Sequence, residues 1–212
     1  MIHAQHIHNV FDLDEVDRIK KLLSLVPAQD HIKNRSIVTN GFTSKDPIYL
    51  AIKKLVIDRI NTVCEHKVSN LTVGMHLITR DPFGIHSDAP GKGDNGSGIA
   101  YLVPLEMVRN DSAKPTSSTI IFDQVWTDTT SIEDYIASGP EKVASPATHV
   151  WPMLSEKCDP AWAPYLSVKL VAEWQIGSVI VWDRRLLHAS DDFLAAGLIE
   201  KSALVLFTNS QS

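Results

Sequence analysis

The hydrophobic pattern of this chain changes period near Leu71, and that change limits the folds open to it. Before it, apolar residues recur three and four apart. Asp12 reads as an N-cap, with Glu15 three residues on completing a capping box. Leu13, Val16, Ile19, Leu22 and Leu23 then form one helical stripe that Pro27 closes. A second helix starts at Asp46-Pro47, with Ile48, Ile52, Leu55, Val56, Ile60 and Val63 on its apolar face. From Leu71 the apolar runs are short and β-rich: Leu71 to Thr79, Ile99 to Leu105, Ser118 to Phe122, Ser167 to Gln175, Gly177 to Leu187 and Ser202 to Thr208. Helices gathered ahead of a run of about seven or eight antiparallel strands predict an α+β, mainly β layout. The strands are expected in a barrel or two-sheet jelly roll.

At 212 residues the chain fits one domain. Residues 1–70 read as helical support, and 71–123 with 167–208 as the β core. Residues 124–166 read as an insertion, with three tryptophans, five prolines and a short helical candidate at Ser131 to Ala137. Long irregular insertions serve as lids or binding surfaces, and a flap that only shields the core fits equally. A formal charge of −5 gives no reason to expect a polyanion, so nucleic acid is not an expected partner. Two cysteines, Cys64 and Cys158, exclude a disulfide framework and a thiolate metal cluster. With no basic segment ahead of an apolar run at the start, and no apolar run of membrane length, the expectation is a cytoplasmic protein without a membrane partner. His3, His6 and His8 suit either adventitious metal or an inward strand face. The loop Gly91 to Gly98 lacks the Gly-Lys-Ser/Thr ending and the following helix of a phosphate cradle. The stretch at Asn110 to Pro115 reads as a turn.

The chemistry concentrates in two stretches. In Arg80-Asp81-Pro82-Phe83-Gly84-Ile85-His86-Ser87-Asp88, His86 and Asp88 stand two apart, so an extended backbone turns both to one side. With nine histidines in the chain, a chance His-x-Asp is unremarkable. Its weight comes from Gly177-Ser178-Val179-Ile180-Val181-Trp182-Asp183-Arg184-Arg185-Leu186-Leu187-His188, an apolar strand ending on a single histidine. His-x-Asp with a distant histidine is the ligand set of the 2-His-1-carboxylate facial triad. It occupies one face of Fe(II) and leaves positions open.

On His86-Ser87-Asp88, on Gly177 to His188 and on a basic residue near the final strand, the chain resembles the 2-oxoglutarate/Fe(II)-dependent oxygenases, close to their small prolyl-hydroxylase-like branch. The resemblance covers roughly Leu71 to Thr208. It implies a double-stranded β-helix, with His86, Asp88 and His188 as catalytic metal ligands and Fe(II), 2-oxoglutarate and O₂ as cofactor and cosubstrates. It also implies a dioxygenase that hydroxylates a small molecule, amino acid or peptidyl side chain, converting 2-oxoglutarate to succinate and CO₂. Lys201 takes the place of the family's basic residue that pairs with the distal carboxylate of 2-oxoglutarate. An ammonium among apolar residues calls for an anionic partner; the other reading is a solvated strand end paired with Glu200. Lys201 follows His188 by thirteen residues, slightly more than the family's usual gap, which keeps Arg184, Arg185 and Arg80 as alternative anchors. Tyr101 reads as a cosubstrate hydrogen-bond donor or a core tyrosine, and Arg80 as a ligand for a substrate carboxylate or a surface strand end. His76 reads as a packed strand histidine or a support of the site, Trp174 and Trp182 as core. Asp88 argues against halogenation, for which that carboxylate ligand is normally absent. The same fold hosts cupin-like metal-binding and non-oxygenase proteins, and a purely structural β module would treat all these residues as coincidence.

Overall fold

The structure is a computed structural model that describes residues 4–26, 37–89, 98–110, 116–127 and 132–209. His3, Pro27, the glycine-rich loop 91–97, the turn residues 111–115 and Ser131 lie outside them. In chain order the strands are β1 (Ala4–Ile7), β2 (Ile37–Phe42), β3 (Leu71–Thr79), β4 (Ile99–Arg109), β5 (Ser118–Val125), β6 (Val168–Glu173), β7 (Val179–Asp183), β8 (Leu186–Ser190) and β9 (Leu198–Thr208). They form a larger antiparallel sheet in the order β1-β7-β4-β9-β3-β2 and a smaller one in the order β6-β5-β8. The protein is mainly β with few helices. The two sheets face each other but are not closed into a barrel; of the two layouts expected, barrel or two-sheet, the strands adopt the two-sheet one.

The run Gly177 to Leu187, expected as one strand, is two strands in different sheets. The carboxylate of Asp183 makes the break: it accepts from Arg185 N at 3.0 Å, Nε at 2.9 Å and Nη2 at 2.6 Å, fixing the turn that carries the chain across. Gly177 starts this passage at a φ of 79°, and a Cβ there would lie 2.2 Å from Phe11 O. No other residue fits both demands.

The larger sheet is buried on both faces. On one, Tyr101, Val103, Leu105, Val179, Val181, Leu204 and Leu206 pack with Val16, Ile19, Leu23, Ile52, Val56, Ile57 and Ile60 of the helical segment. On the other, Leu102, Ile180, Trp182 and Val205 meet Ile121, Ala172, Trp174 and Leu186 of the smaller sheet. The smaller sheet's outer face, with Ile120, Phe122, Leu187 and Ala189, is covered by Ile132, Ala147, Val150, Leu154 and Leu166. Each of the valine, leucine, isoleucine and phenylalanine side chains contributes about 1.5–3 kcal/mol on burial. The described residues of 132–166 thus supply an outer layer, including α4 (Ile132–Ala137) and three 3₁₀ turns.

Among the helices, α1 (Leu13–Leu23) starts on a reciprocal cap: Glu15 N donates to Asp12 Oδ1 at 2.8 Å, and Asp12 N donates to Glu15 Oε2 at 3.0 Å. Leu13, placed in the apolar stripe by its spacing, is exposed because it precedes the first turn that meets the sheet. The second helical stretch runs as α2 (Pro47–Ile52), a π turn (Lys53–Ile57) and α3 (Asp58–Val63). A π turn inserts one residue into the ladder and rotates the face that follows. Ile57 is therefore buried at 2% exposure, whereas Val63, on the expected apolar face, is 42% exposed. Among the described residues no helix is long and apolar enough to cross a membrane.

The rotated face sets an expectation for stability. Ile57→Ala should cost about 2–5 kcal/mol in chemical denaturation, while Val63→Ala should stay within about 0.5 kcal/mol of the parent. Reversed costs would mean that the helix keeps an unbroken α phase.

Candidate metal centre

Two segments roughly a hundred residues apart meet at one pair of backbone groups. His86 N donates to His188 O at 3.0 Å and His188 N donates to His86 O at 2.8 Å, an antiparallel bridge. Residues directly opposite in such a pair carry their side chains on the same face. Asp88, two along from His86, adds a third group to that face. Its backbone is clamped as well. Asp88 N donates to Arg184 O at 2.9 Å, and the Arg184 guanidinium donates to Asp88 O through Nε at 3.2 Å and Nη2 at 2.8 Å. Arg184 also lies over the Phe207 ring, 4.8 Å from its centroid.

The imidazoles are oriented from behind. His86 Nδ1 donates to Gly84 O at 2.8 Å, and His188 Nδ1 donates to Leu186 O at 3.0 Å. A carbonyl can only accept, so both Nδ1 atoms carry the proton and both Nε2 atoms present lone pairs. Those atoms converge on the carboxylate: His188 Nε2 lies 3.3 Å from Asp88 Oδ2, and His86 Nε2 lies 3.9 Å from Asp88 Oδ1. All three donors fall within 4.8 Å of one another. Burial foremost, and the neighbouring His86, pull the His188 pKa down to about 4 against the opposing charge of Asp88. His188 is thus a neutral ligand-ready base at neutral pH. Two aligned nitrogen lone pairs and one carboxylate fit a divalent first-row metal, and His86, Asp88 and His188 could hold one.

These groups line a cavity of about 260 Å³ whose other walls are largely apolar, with Met75, Leu77, Phe83, Leu102, Trp182, Val205 and Phe207. Lys201 lines the same cavity. Strand alternation along β9 points Lys201, Ala203, Val205 and Phe207 inward and Leu204 and Leu206 toward the helices. At 2% exposure Lys201 is no solvated strand end; Glu200 pairs instead with Arg80, Nη2 to Oε2 at 2.7 Å. The Lys201 ammonium donates to Ser117 Oγ at 2.8 Å and Ser190 Oγ at 2.9 Å, under the rings of Trp174 and Phe193. Burial lowers its pKa to about 8, opposed by Asp191, whose Oδ1 lies 3.7 Å away. The lysine therefore has an internal counter-charge that its apolar sequence neighbours conceal.

The other sequence candidates stand elsewhere. Tyr101 is on the helix-facing side of β4, fully buried, and its hydroxyl donates to His66 O at 3.2 Å; its neighbour Leu102 lines the cavity. Since β4 is apolar on both faces, its sequence shows no alternation from which to choose between them. Arg80 is engaged by Glu200, Arg185 by Asp183, and Arg184 by Asp88 O, and none of them lines the cavity. His76 also lies on the helix-facing side of β3, opposite to Met75 and Leu77, so it does not support the centre. His6 Nε2 is 3.0 Å from Ser178 Oγ and His8 Nδ1 is 2.6 Å from Gln175 Oε1, so both are occupied in strand packing. The described part of 124–166 contributes no lining residue. It reaches the segment ahead of His86: Lys157 pairs with Asp81 and donates to Pro82 O at 3.3 Å. Asp191 and Ser117 around Lys201 were not singled out by spacing, because nothing in their local sequence marks a partner 10 or 84 residues away.

No protein-family model matches the sequence, and no curated protein matches it significantly. Solved structures do share the fold. The non-heme alpha ketoglutarate dependent epimerase SnoN from nogalamycin biosynthesis aligns with a TM-score of 0.56 at 12% identity, over 98% of this chain and 78% of that one. HygX from Streptomyces hygroscopicus, solved with nickel and 2-oxoglutarate bound, gives 0.54 at 13% identity, over 99% and 84%. A 2OG-Fe(II) oxygenase family oxidoreductase from Burkholderia pseudomallei gives 0.52 at 12% identity, over 93% and 79%. At such identities the likeness is one of fold alone, shared with these three proteins.

The clamp on Asp88 sets an expectation for metal binding. Arg184→Met should weaken Ni(II) or Fe(II) affinity by about 10- to 100-fold in anaerobic titration, with an unchanged circular dichroism spectrum. Undiminished affinity would mean that the strand alone positions Asp88.

Proposed function

We propose that this chain is an Fe(II)- and 2-oxoglutarate-dependent dioxygenase that attacks a C–H bond of a small molecule, amino acid or peptidyl side chain. The observation that carries this reading is the shared cavity. A convergent His-Asp-His face and one buried ammonium line the same apolar space. In this reading His86 and His188 bind the metal through Nε2 and Asp88 through its carboxylate, and Lys201 receives the distal carboxylate of 2-oxoglutarate. Bound Fe(II) would supply O₂ activation coupled to decarboxylation of 2-oxoglutarate to succinate and CO₂. The residues of the chain do the rest. Arg184 fixes Asp88, Ser190 orients Lys201, and Leu77, Leu102 and Val205 exclude water from the reacting groups. The accompanying fold reading is a double-stranded β-helix backed by the two N-terminal helical segments.

Hydroxylation is the default outcome of this chemistry. The likeness to an epimerase leaves the fate of the substrate carbon to the substrate's placement. A second reading is a metal-binding β protein without 2-oxoglutarate turnover. It is favoured by Asp191, which already offers Lys201 an anion.

Anaerobic titration with Fe(II) and 2-oxoglutarate separates the two readings, through the weak visible charge-transfer band of the chelate. The dioxygenase reading expects a band in the parent protein and none in His188→Ala. Lys201→Ala should need at least about tenfold more 2-oxoglutarate, since a charge-assisted hydrogen bond is worth about 1.5–3 kcal/mol. An iron-loaded, folded parent without the band would be the metal-binding protein of the second reading.

A further inference from the structure

Lys201 lines the cavity, but the group that balances its charge stands behind the wall. Neither Asp191 nor Ser117 is among the lining residues. We propose that Asp191 is a positioning residue for the cosubstrate anchor: from outside the cavity it keeps the Lys201 ammonium charged and aimed at an incoming carboxylate. The proposal rests on the dioxygenase reading and names a residue that reading does not include.

The hydrogen bonds give the direction. Ser117 Oγ accepts from Lys201 Nζ at 2.8 Å and donates onward to Asp191 Oδ1 at 2.8 Å. A hydroxyl has one proton, so committing it to the carboxylate leaves its lone pairs for the ammonium. Ser190 Oγ works the same way, accepting from Lys201 and donating to Asp191 O at 3.0 Å. Two of the three ammonium N–H groups are thereby drawn to the side of Asp191. Asp191 Oδ1, 3.7 Å from Nζ, is beyond an ordinary hydrogen bond and acts on the ammonium chiefly through its charge. Lys201 itself lines the cavity.

Asp191 itself is held in place. Ser118 N donates to its Oδ2 at 2.6 Å, Asp191 N donates to Ser118 O at 3.1 Å, and the residue is 7% exposed. Among the described residues, the other elements packed on Lys201 bring no charge. Thr79 of β3 and Met107 of β4 flank it in register, Ser117 precedes β5, and Trp174 and Phe193 present rings. Asp191 is thus the one described anion opposing the burial that drives the lysine toward neutrality.

The sign follows. A lysine whose pKa is near 8 is mostly charged at neutral pH and becomes neutral as pH rises through that value. Removing Asp191 lowers that midpoint further. The test uses the full chain, with two measurements on the parent and on Asp191→Asn: the Lys201 signal in ¹³C-lysine NMR of metal-free protein, and calorimetric 2-oxoglutarate binding to Ni(II)-loaded protein, each from about pH 6 to about pH 9. The midpoint should fall by about one unit or more in the variant. At pH 7.5 its 2-oxoglutarate affinity should be weaker by about threefold, approaching about tenfold at pH 9, while at pH 6 the two proteins converge. Asp191→Asn combined with Lys201→Arg should show no break, because a guanidinium stays charged.

A variant that binds 2-oxoglutarate more tightly throughout would make Asp191 a competitor for the ammonium, and an unmoved midpoint would make it a bystander; either result overturns the proposal. Should Asp191→Asn not fold, Ser117→Ala carries the same test, with a smaller shift in the same direction expected and no shift counting against it. If the parent binds nickel but no 2-oxoglutarate at any pH, the dioxygenase reading fails, and the NMR midpoints report on Asp191 separately.

Discussion

The centre depends on the two backbone hydrogen bonds between His86 and His188. Because they pair these residues directly, the imidazoles share a face without touching through any side-chain bond. The strand spacing of two then delivers Asp88 to the same face. A further bond, Ser190 N to Phe83 O at 3.2 Å, continues the pairing, and the Arg184 guanidinium at the turn between β7 and β8 seals the far end. Ligand convergence is thus a property of the backbone. The side chains only have to be the right ones.

Burial acts on both ends of the cavity with opposite consequences. At His188 it disfavours the imidazolium and leaves a lone pair for a cation, which is what a ligand needs. At Lys201 the same effect disfavours the ammonium, the form that the proposed cosubstrate anchor would need. The apolar walls that strengthen any charge interaction inside the cavity therefore demand a compensating group at one end only. Asp191 is in the position to provide it.

The larger sheet lets one strand serve two purposes. β9 sends Leu204 and Leu206 into the helix-backed core and Lys201 and Val205 into the cavity. The 132–166 layer does for the smaller sheet what the helices do for the larger. It covers the outer face and, through Lys157, steadies the segment that leads to His86. The cavity lies between two sheets that are each supported from outside.

The sequence alone determined the donor set and its order along the chain, because a two-residue spacing and a strand-borne histidine are local properties of an extended backbone. It also marked the helix start at Asp12, whereas the burial of Lys201 was one of two readings left open. Only the tertiary structure decided which face each buried strand residue occupies: Ile99 to Leu105 is apolar throughout, so nothing in it separates Tyr101 from Leu102. It likewise decided that Gly177 to Leu187 breaks at Asp183, that the π turn exposes Val63, and that residues 132–166 pack on the outer face of the smaller sheet. The partners of Lys201 were equally hidden, since Ser117 and Asp191 reach it through sheet register and not through sequence distance. Periodicity is written into neighbouring residues, whereas burial on two faces and pairing across sheets are fixed only when distant segments meet.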